Sequence, residues 1–432
     1  MRITILAIGS RGDIQPYMAL SKGLSSAGHS VRLATHTAFA TLVRSHDIDF
    51  FPLDDEPHEF FQTDRGRASL NGNTNAFVYL YRLVRMLDPL IDGYMQRCGE
   101  ACEDADSIIV TYLSFLLGYT LAEMSKKPLV ATFLQPSLLP PKAFPEPTAF
   151  RLPQRPQSFG ETLNYQSHLG AGTIFWKLFT PAVNRARKSI YHLPPLPKVS
   201  LFATLPEHVA LILYGYSTQL LSKPDDWGAT THVTGFWMLE HAQTWQPEPE
   251  LMDFIQAGSA PVYIGFGSMS SYHPGDTLHI AQETLLRTGQ RGIILVEKDY
   301  MREQKLSEQI YITNGVPHDW LFPRMSVIIH HGGAGTTAAS LLAGKPTIVV
   351  SHIVDQQFWG DRIAFLGVGP RPLSRRHLSA GKLEKALHSV IGNEDMKRKA
   401  EEVGKRLREE NGVEQAVCAI NTLVGNVTVA FK

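Results

Sequence analysis

The chain has 432 residues, which is long enough for two domains of ordinary size, each with its own core. Hydrophobic residues make up 44% of it and charged residues 19%, a composition that is normal for a globular enzyme and excludes an intrinsically disordered chain. The 41 lysines and arginines balance 41 aspartates and glutamates, so no overall charge attracts the chain to nucleic acid, although a local basic patch stays open.

The first half of the chain alternates short apolar runs with segments of helical periodicity. The opening run, residues 2–8, predicts a strand rather than a secretory signal peptide, because it stops at a glycine without a cleavage-type segment. Helices are expected over residues 16–27, with Pro16 in the first turn, and over 75–98. Further strands are expected at 29–35, 107–112 and 128–133. Strand and helix in repetition indicate a parallel, doubly wound sheet.

A proline-rich stretch then interrupts the alternation. Residues 134–157 contain seven prolines, which excludes a regular element over their length. A long irregular stretch inside a compact domain is more often functional than not. The aromatic residues in and after this stretch either line an apolar binding pocket or belong to an ordinary core, and the sequence leaves both interpretations open.

The second half of the chain resumes the alternation. Strands are expected at 261–268, 291–297, 309–314, 325–331 and 345–351. The mixed, proline-bearing segment before them is typical of a linker between domains. The predicted division is an N-terminal domain over 1–235, a linker over 236–256, a C-terminal domain over 257–410, and a C-terminal helix and tail over 411–432.

The strongest functional signal is "VIIHHGGAGTTAASLLAGKP", residues 327–346. An apolar strand ends at two histidines, glycines make a tight turn, and two threonines open a helix of small residues. Glycines let the backbone approach a ligand closely, and a helix N-terminus offers unpaired amides and a positive dipole end. The pattern predicts a site for a diphosphate. His331 could instead be a structural histidine whose ring nitrogens are satisfied within the fold.

The loop after the first strand, "GSRGDIQP", is a different kind of turn. A dinucleotide-binding fold requires G-x-G-x-x-G there and an acid after the next strand. This sequence has only Gly9-x-x-Gly12, and the next strand is followed by no acid, so a dehydrogenase is excluded. Asp13 is then left to accept a proton, or instead to act only as the N-cap of a helix that opens at Pro16.

Metal, disulfide and membrane signals are weak. Cys98 and Cys102 lie one helical turn apart, and no cysteine or histidine spacing fits zinc, which is typical of reduced thiols in a cytosolic protein. The D-x-D triplets at 47–49 and 104–106 are not expected at the candidate site, so no metal cofactor is expected. No apolar run approaches the roughly 18–20 residues of a membrane span. Peripheral contact with a membrane remains open.

Four motifs together carry a family resemblance. They are "GSRGDIQP" (9–16), "GFGSM" (265–269), "VPHDWLFP" (316–323), and "HHGGAGTTAASLLAGKP" (330–346), the last followed by "DQQFWG" (355–360). With these motifs the chain resembles the nucleotide-sugar-dependent glycosyltransferases that include the sterol and glycopeptide-antibiotic glucosyltransferases. The resemblance spans nearly the full length. It implies an α/β fold of the GT-B type, in which two Rossmann-like, doubly wound parallel-sheet domains face a central cleft.

The resemblance also implies a reaction and its residues. The reaction would be an inverting transfer of a hexose, most simply glucose from UDP-glucose, to a hydroxyl of a sterol or another hydrophobic small molecule. Asp13 would be the general base, with Ser10 and Gly12 beside it. The nucleotide and its diphosphate would be held by Ser268, Val316, His331, Gly333, Gly335, Thr336 and Thr337, and the donor sugar by Asp355 and Gln356. No cofactor is implied beyond the UDP-sugar donor, and the oligomeric state is left open.

Two positions depart from the pattern of the plant-type relatives. Gly315 stands where those proteins stack a tryptophan on the base, and Ala339 stands where they hold the ribose with a glutamate. A dTDP-rhamnose donor therefore stays open beside UDP-glucose. The sequence is also compatible with a UDP-sugar epimerase of the same architecture and with a non-enzymatic regulator that binds a nucleotide sugar.

Overall fold

The structure, a computed structural model, describes residues 1–53, 76–147, 157–240, 245–266, 274–296, 307–352 and 355–430. These residues form two compact units. Unit 1 contains the described residues within 1–53, 76–239 and 411–430, and unit 2 contains the described part of 240–410. The chain therefore leaves unit 1 after residue 239 and returns to it at residue 411.

Unit 1 is built on a seven-stranded parallel sheet, in the order β3-β2-β1-β4-β5-β6-β7. Its strands are β1 (Arg2–Leu6), β2 (Ser30–His36), β3 (Asp49–Leu53), β4 (Ser107–Val110), β5 (Leu129–Phe133), β6 (Leu211–Tyr214) and β7 (Thr231–Val233). Strands β4, β5 and β6 are buried along their whole length, as expected for a parallel sheet that is covered on both faces.

Unit 2 is built on a six-stranded parallel sheet, in the order β10-β9-β8-β11-β12-β13. Its strands are β8 (Val262–Gly265), β9 (Gly292–Leu295), β10 (Ile310–Thr313), β11 (Val327–His330), β12 (Thr347–Ser351) and β13 (Leu373–Ser374). In each sheet the strand order reverses once, between β1 and β4 in unit 1 and between β8 and β11 in unit 2.

Helices connect the strands in both units. They are α1 (Arg11–Ser26), α2 (Ala40–Arg44), α3 (Ala76–Leu87), α4 (Ile91–Cys102), α5 (Phe115–Ser125), α6 (Gln157–Tyr191), α7 (Pro249–Gln256), α8 (Pro274–Thr288), α9 (His318–Leu321), α10 (Ala334–Leu342), α11 (Gln356–Phe365), α12 (Ala380–Val390), α13 (Glu394–Glu409) and α14 (Gly412–Ala430). The C-terminal α14 packs its apolar face on α1 in the core of unit 1. Among the residues described, none of these helices combines the length and the apolar character that a membrane span requires.

Every strand predicted from the sequence is present, with ends that differ by a few residues. The strands β3, β6, β7 and β13 and the 35-residue α6 were not predicted from the sequence. Two helix predictions were wrong in detail. The first helix begins at Arg11, so Pro16 lies inside it rather than in its first turn, and the segment 75–98 is interrupted by a 3-10 turn at Asp88–Leu90, where Pro89 cannot donate a helical hydrogen bond.

Candidate functional site

Both functional motifs lie where the strand order of their own sheet reverses. In open parallel sheets, ligands bind outside the carboxyl ends of the strands at this switch point, because neighbouring connections there run to opposite faces of the sheet. The loop between β1 and α1 carries Asp13, and the loop between β11 and α10 carries the glycine turn. The topology thus places each motif at the expected binding edge of its own unit.

In the first loop, two hydrogen bonds from Ser10 hold the Asp13 carboxylate. Ser10 is the N-cap of α1, and Asp13 is the third residue of the helix. The backbone amide and the hydroxyl of Ser10 each donate a hydrogen bond to Asp13 Oδ2, at 2.8 Å in both cases. The interpretation of Asp13 as the N-cap of a helix opening at Pro16 is therefore wrong, although the carboxylate does contribute to capping the helix that begins at Arg11.

The environment of Asp13 favours proton acceptance. The residue as a whole is exposed, although the surrounding protein packs closely around its carboxylate. Desolvation by the surrounding protein raises the pKa of Asp13 above its ordinary value, and this outweighs the two hydrogen bonds from Ser10, which lower it. A carboxylate with a raised pKa is a stronger base than free aspartate.

Gly9 makes the position of Asp13 sterically possible. Its φ is +146°, a conformation that other residues rarely adopt, and a Cβ atom at this position would lie 2.6 Å from Asp13 Oδ2. Since both the backbone conformation and the contact exclude a side chain, only glycine leaves room for the carboxylate.

We expect Gly9→Ala to cost on the order of 1–3 kcal/mol of stability, because the new methyl group must displace Asp13 or the strained backbone must change. Chemical denaturation compared with Gly28→Ala measures this cost. Gly28 also has a positive φ, +88°, but a Cβ there would meet no atom within 4 Å, so the control carries the backbone strain without the collision. Equal losses of stability in the two variants would contradict the steric account.

A histidine that the sequence analysis missed also contacts this loop. The amide of Gly9 donates to Nε2 of His36 at 3.2 Å. His36 is the last residue of β2, is 3% exposed, and packs edge-on against Tyr94. The sequence signal was available, because β2 neighbours β1 and the carboxyl ends of parallel strands share one edge.

The second loop is a glycine turn with a defined geometry. Gly332 has a φ of +92°, and Gly333 is the N-cap of α10. The helix begins at Ala334, two residues before the predicted position. The amide of Thr337 consequently lies inside the helix, where it donates to the Gly333 carbonyl at 2.9 Å, so the free amides belong to the first turn and Thr337 offers only its hydroxyl.

Three buried polar atoms around this turn have no hydrogen-bond partner among the described residues. They are His330 Nε2, His331 Nδ1 and Thr337 Oγ1. Burial lowers the pKa of His331 to about 4, so its ring is neutral at pH 7 and carries a single N–H. A Cβ at Gly333 would lie 2.5 Å from His331 Nε2, so the glycine lets the ring lie directly over the turn. Unpaired buried polar groups are costly, so several of them beside a helix N-terminus are typical of a site that binds a polar ligand.

The remaining predicted site residues are placed as follows. Val316 lies between β10 and α9 and is half-buried. Asp355 is the N-cap of α11, and its Oδ2 accepts a hydrogen bond from Nε1 of the buried Trp359 at 2.9 Å. Gln356 is buried, and its Oε1 accepts from the backbone amide of His352 at 2.7 Å. Ser268 lies outside the residues that the structure describes. Of this group, Asp355 and Gln356 lie together, and both are fixed by bonds within unit 2.

The structure gives the D-x-D triplet at 104–106 another role. Asp104 forms ion pairs with Arg2 and Arg32, at 2.6 and 2.8 Å, and Asp106 accepts a hydrogen bond from the backbone amide of Arg2. Within the described ranges, no group of three or more histidine, cysteine, aspartate or glutamate side chains is arranged to hold a metal ion.

Comparison with known proteins identifies the family. Residues 3–93 match the glycosyltransferase family 28 N-terminal domain, and residues 291–417 match the erythromycin biosynthesis protein CIII-like C-terminal domain. The chain is 34% identical to the sterol 3-beta-glucosyltransferase UGT80B1 of Arabidopsis thaliana over 98% of its own length and 68% of that protein. The chain therefore belongs to the glycosyltransferase family that includes the sterol 3-beta-glucosyltransferases.

Two further sterol 3-beta-glucosyltransferases are similar to this glycosyltransferase. UGT80A2 of Arabidopsis thaliana is 36% identical and the protein of Aspergillus oryzae is 34% identical, each over 97% of the chain. The chain spans 65% of the length of the first and 30% of the second. It therefore matches only part of these longer proteins.

The fold is also that of solved glycosyltransferases. The calicheamicin glycosyltransferase CalG4 superimposes with a TM-score of 0.68 over 99% of each chain, at 14% sequence identity. This likeness confirms the predicted fold class, two parallel-sheet α/β domains of the GT-B type.

Proposed function

We propose that this protein transfers glucose from UDP-glucose to the hydroxyl group of a sterol, with inversion at the anomeric carbon. The observation that carries the proposal is the Asp13 carboxylate, which two hydrogen bonds from Ser10 hold at the switch point of unit 1, in a chain whose second switch point has buried polar atoms without a partner among the described residues. The related sterol 3-beta-glucosyltransferases supply the class of acceptor and the sugar.

Asp13 acts as the general base in this mechanism. One oxygen of its carboxylate takes the proton of the acceptor hydroxyl as the hydroxyl oxygen forms a bond to C1 of the glucose. The bond between C1 and the phosphate oxygen breaks in the same displacement, and UDP leaves with both electrons of that bond. A positioned base contributes about 10²–10⁴-fold to the rate of such a step.

The glycine turn of unit 2 stabilises the leaving group. The first-turn amides of α10 and the positive end of its dipole face the charge that develops on the diphosphate. His331 and the Thr337 hydroxyl add donors that have no partner among the described residues. Thr336, Gly333 and Gly335 shape the turn, Val316 and Ser268 contact the nucleotide, and Asp355 and Gln356 hold the sugar hydroxyls. Fixed dipoles of this kind can act without a metal ion, and we propose none.

The apolar character of a sterol acceptor bears on where the protein works. A sterol is an apolar alcohol that resides in membranes, so we propose that the protein works in the cytoplasm with peripheral contact to a membrane surface. The scarcity of cysteines is consistent with a reducing compartment.

Incubation with UDP-glucose in the presence and absence of a sterol separates this function from epimerisation and from regulation without turnover. We expect a sterol glucoside by mass shift only when both substrates are present, and a smaller yield with dTDP-rhamnose. Isomerisation of the UDP-sugar without any alcohol would identify an epimerase instead. Binding of UDP-glucose without turnover on a panel of sterols would favour a regulator.

A further inference from the structure

A buried histidine holds the backbone of the loop that carries the candidate base. His36 ends β2, which pairs with β1 in parallel register up to Leu6 and Ala34, so its ring lies beside the first residues after β1. Its Nε2 accepts a hydrogen bond from the Gly9 amide at 3.2 Å, and His36 is 3% exposed. The rings of Tyr94 and Phe39 lie 6.0 and 6.4 Å from it, centroid to centroid, and restrict its rotation.

The direction of this hydrogen bond fixes the chemical form of the ring. A backbone amide can only donate, so Nε2 must be the nitrogen without a proton. A neutral imidazole then carries its proton on Nδ1. A doubly protonated ring would direct an N–H group at the Gly9 amide and lose the bond, so the contact requires neutral His36.

Gly9 connects this ring to the carboxylate. The Asp13 side chain passes so close to the Gly9 Cα that an added Cβ would lie 2.6 Å from Oδ2 and 2.8 Å from Asp13 Cγ. The Ser10 amide, one residue further along, donates to the same Oδ2. A change in the orientation of the Gly9 peptide would therefore move the carboxylate directly.

We propose that His36 is a positioning residue for the general base: its neutral, Nδ1-protonated ring holds the Gly9 amide and so fixes the turn that directs the Asp13 carboxylate. This positioning role rests on the proposed function of Asp13. The hydrogen bond from Gly9 and the tautomer of His36 are independent of that function.

Two substitutions separate this hydrogen bond from the packing of the ring. His36→Phe keeps an aromatic ring against Tyr94 and removes the acceptor, whereas His36→Gln loses the ring and keeps an acceptor atom at similar reach. His46→Phe is the control, because His46 lies in the same unit and its Nδ1 contacts the nearby Leu42 carbonyl and Ser45 hydroxyl.

We expect His36→Phe to lower kcat by about 10- to 100-fold, because a small displacement of a catalytic group has effects of this size. KM for UDP-glucose and the Kd of UDP should stay within about twofold, since the donor site lies in unit 2. His36→Gln should recover most of the lost kcat, and His46→Phe should leave it unchanged. Wild-type kcat in His36→Phe, or equal loss in both His36 variants, would overturn the proposal.

The tautomer gives a second test that needs no turnover. The ¹⁵N spectrum of the imidazole in the wild-type protein at neutral pH should show the Nδ1-protonated form, and an Nε2-protonated form would overturn the proposal. A protein that shows the Nδ1-protonated form but makes no glucoside would contradict the proposed function and leave the hydrogen bond to Gly9 intact. If His36→Phe does not fold, the ¹⁵N spectrum of the wild-type protein still tests whether His36 has the tautomer that the proposal requires.

Discussion

Asp13→Asn is expected to lose glucosyl transfer by about 10²–10⁴-fold while it binds UDP as tightly as the wild type. The amide cannot accept the acceptor proton, but its oxygen can still accept the hydrogen bonds that Ser10 donates to the carboxylate. The measurement is kcat for sterol glucoside formation together with the Kd of UDP by calorimetry. Wild-type turnover in the variant would contradict the assignment of the base.

The raised pKa of Asp13 also predicts how activity depends on pH and how stable Asp13→Asn is. Activity requires the carboxylate, so kcat/KM should fall as the pH drops through a value above 3.8, the ordinary pKa of aspartate. A carboxyl group whose pKa is raised by folding binds its proton more tightly in the folded state, so it opposes stability above that pKa. Asp13→Asn should therefore be at least as stable as the wild type at pH 7, and a large loss of stability would make its inactivity uninformative.

Thr337→Val is expected to weaken UDP binding by about tenfold or more, because hydrogen bonds to charged groups contribute about 1.5–3 kcal/mol. The Thr337 side chain is fully buried and its hydroxyl has no partner among the described residues, so the isosteric methyl group should leave the stability of unit 2 unchanged or raise it. Calorimetric titration with UDP and thermal unfolding measure the two effects.

Thr347→Val provides the matched control. Thr347 is also fully buried in unit 2, but its hydroxyl donates to the Lys345 carbonyl at 3.1 Å. Its loss should cost stability and leave the affinity for UDP unchanged, the opposite pattern to Thr337→Val. Undiminished UDP affinity in Thr337→Val would remove this hydroxyl from the diphosphate site.

The sequence was most informative where burial and backbone geometry dictate residue type. The strands at the centre of both sheets appear as continuous apolar runs, and the two histidines and the glycines at the end of β11 were located from the order of residues in the motif. The strands β3, β6, β7 and β13 were missed, and a two-residue element such as β13 has no periodicity to detect. The exact start of α10 was also missed, because the small residues from Gly333 to Thr337 are compatible with either a turn or a helix.

Contacts between distant segments limited the prediction of the site. The hydrogen bond from Gly9 to His36 joins residues 27 apart, and it exists because β2 pairs with β1. The role of Trp359 was also not predictable, because its position in the sequence is compatible with either a sugar pocket or a buried core. In the structure it is fully buried and donates to Asp355, so it supports a predicted donor residue from within the fold.

The anomeric configuration of the product tests the account most directly. UDP-glucose carries its glucose in the α configuration, and a single displacement by a hydroxyl that Asp13 deprotonates must invert it. The account predicts that the wild-type protein, given UDP-glucose and a sterol, forms only the β-linked glucoside, as read from the anomeric proton coupling by NMR. An α-linked product would contradict the direct displacement.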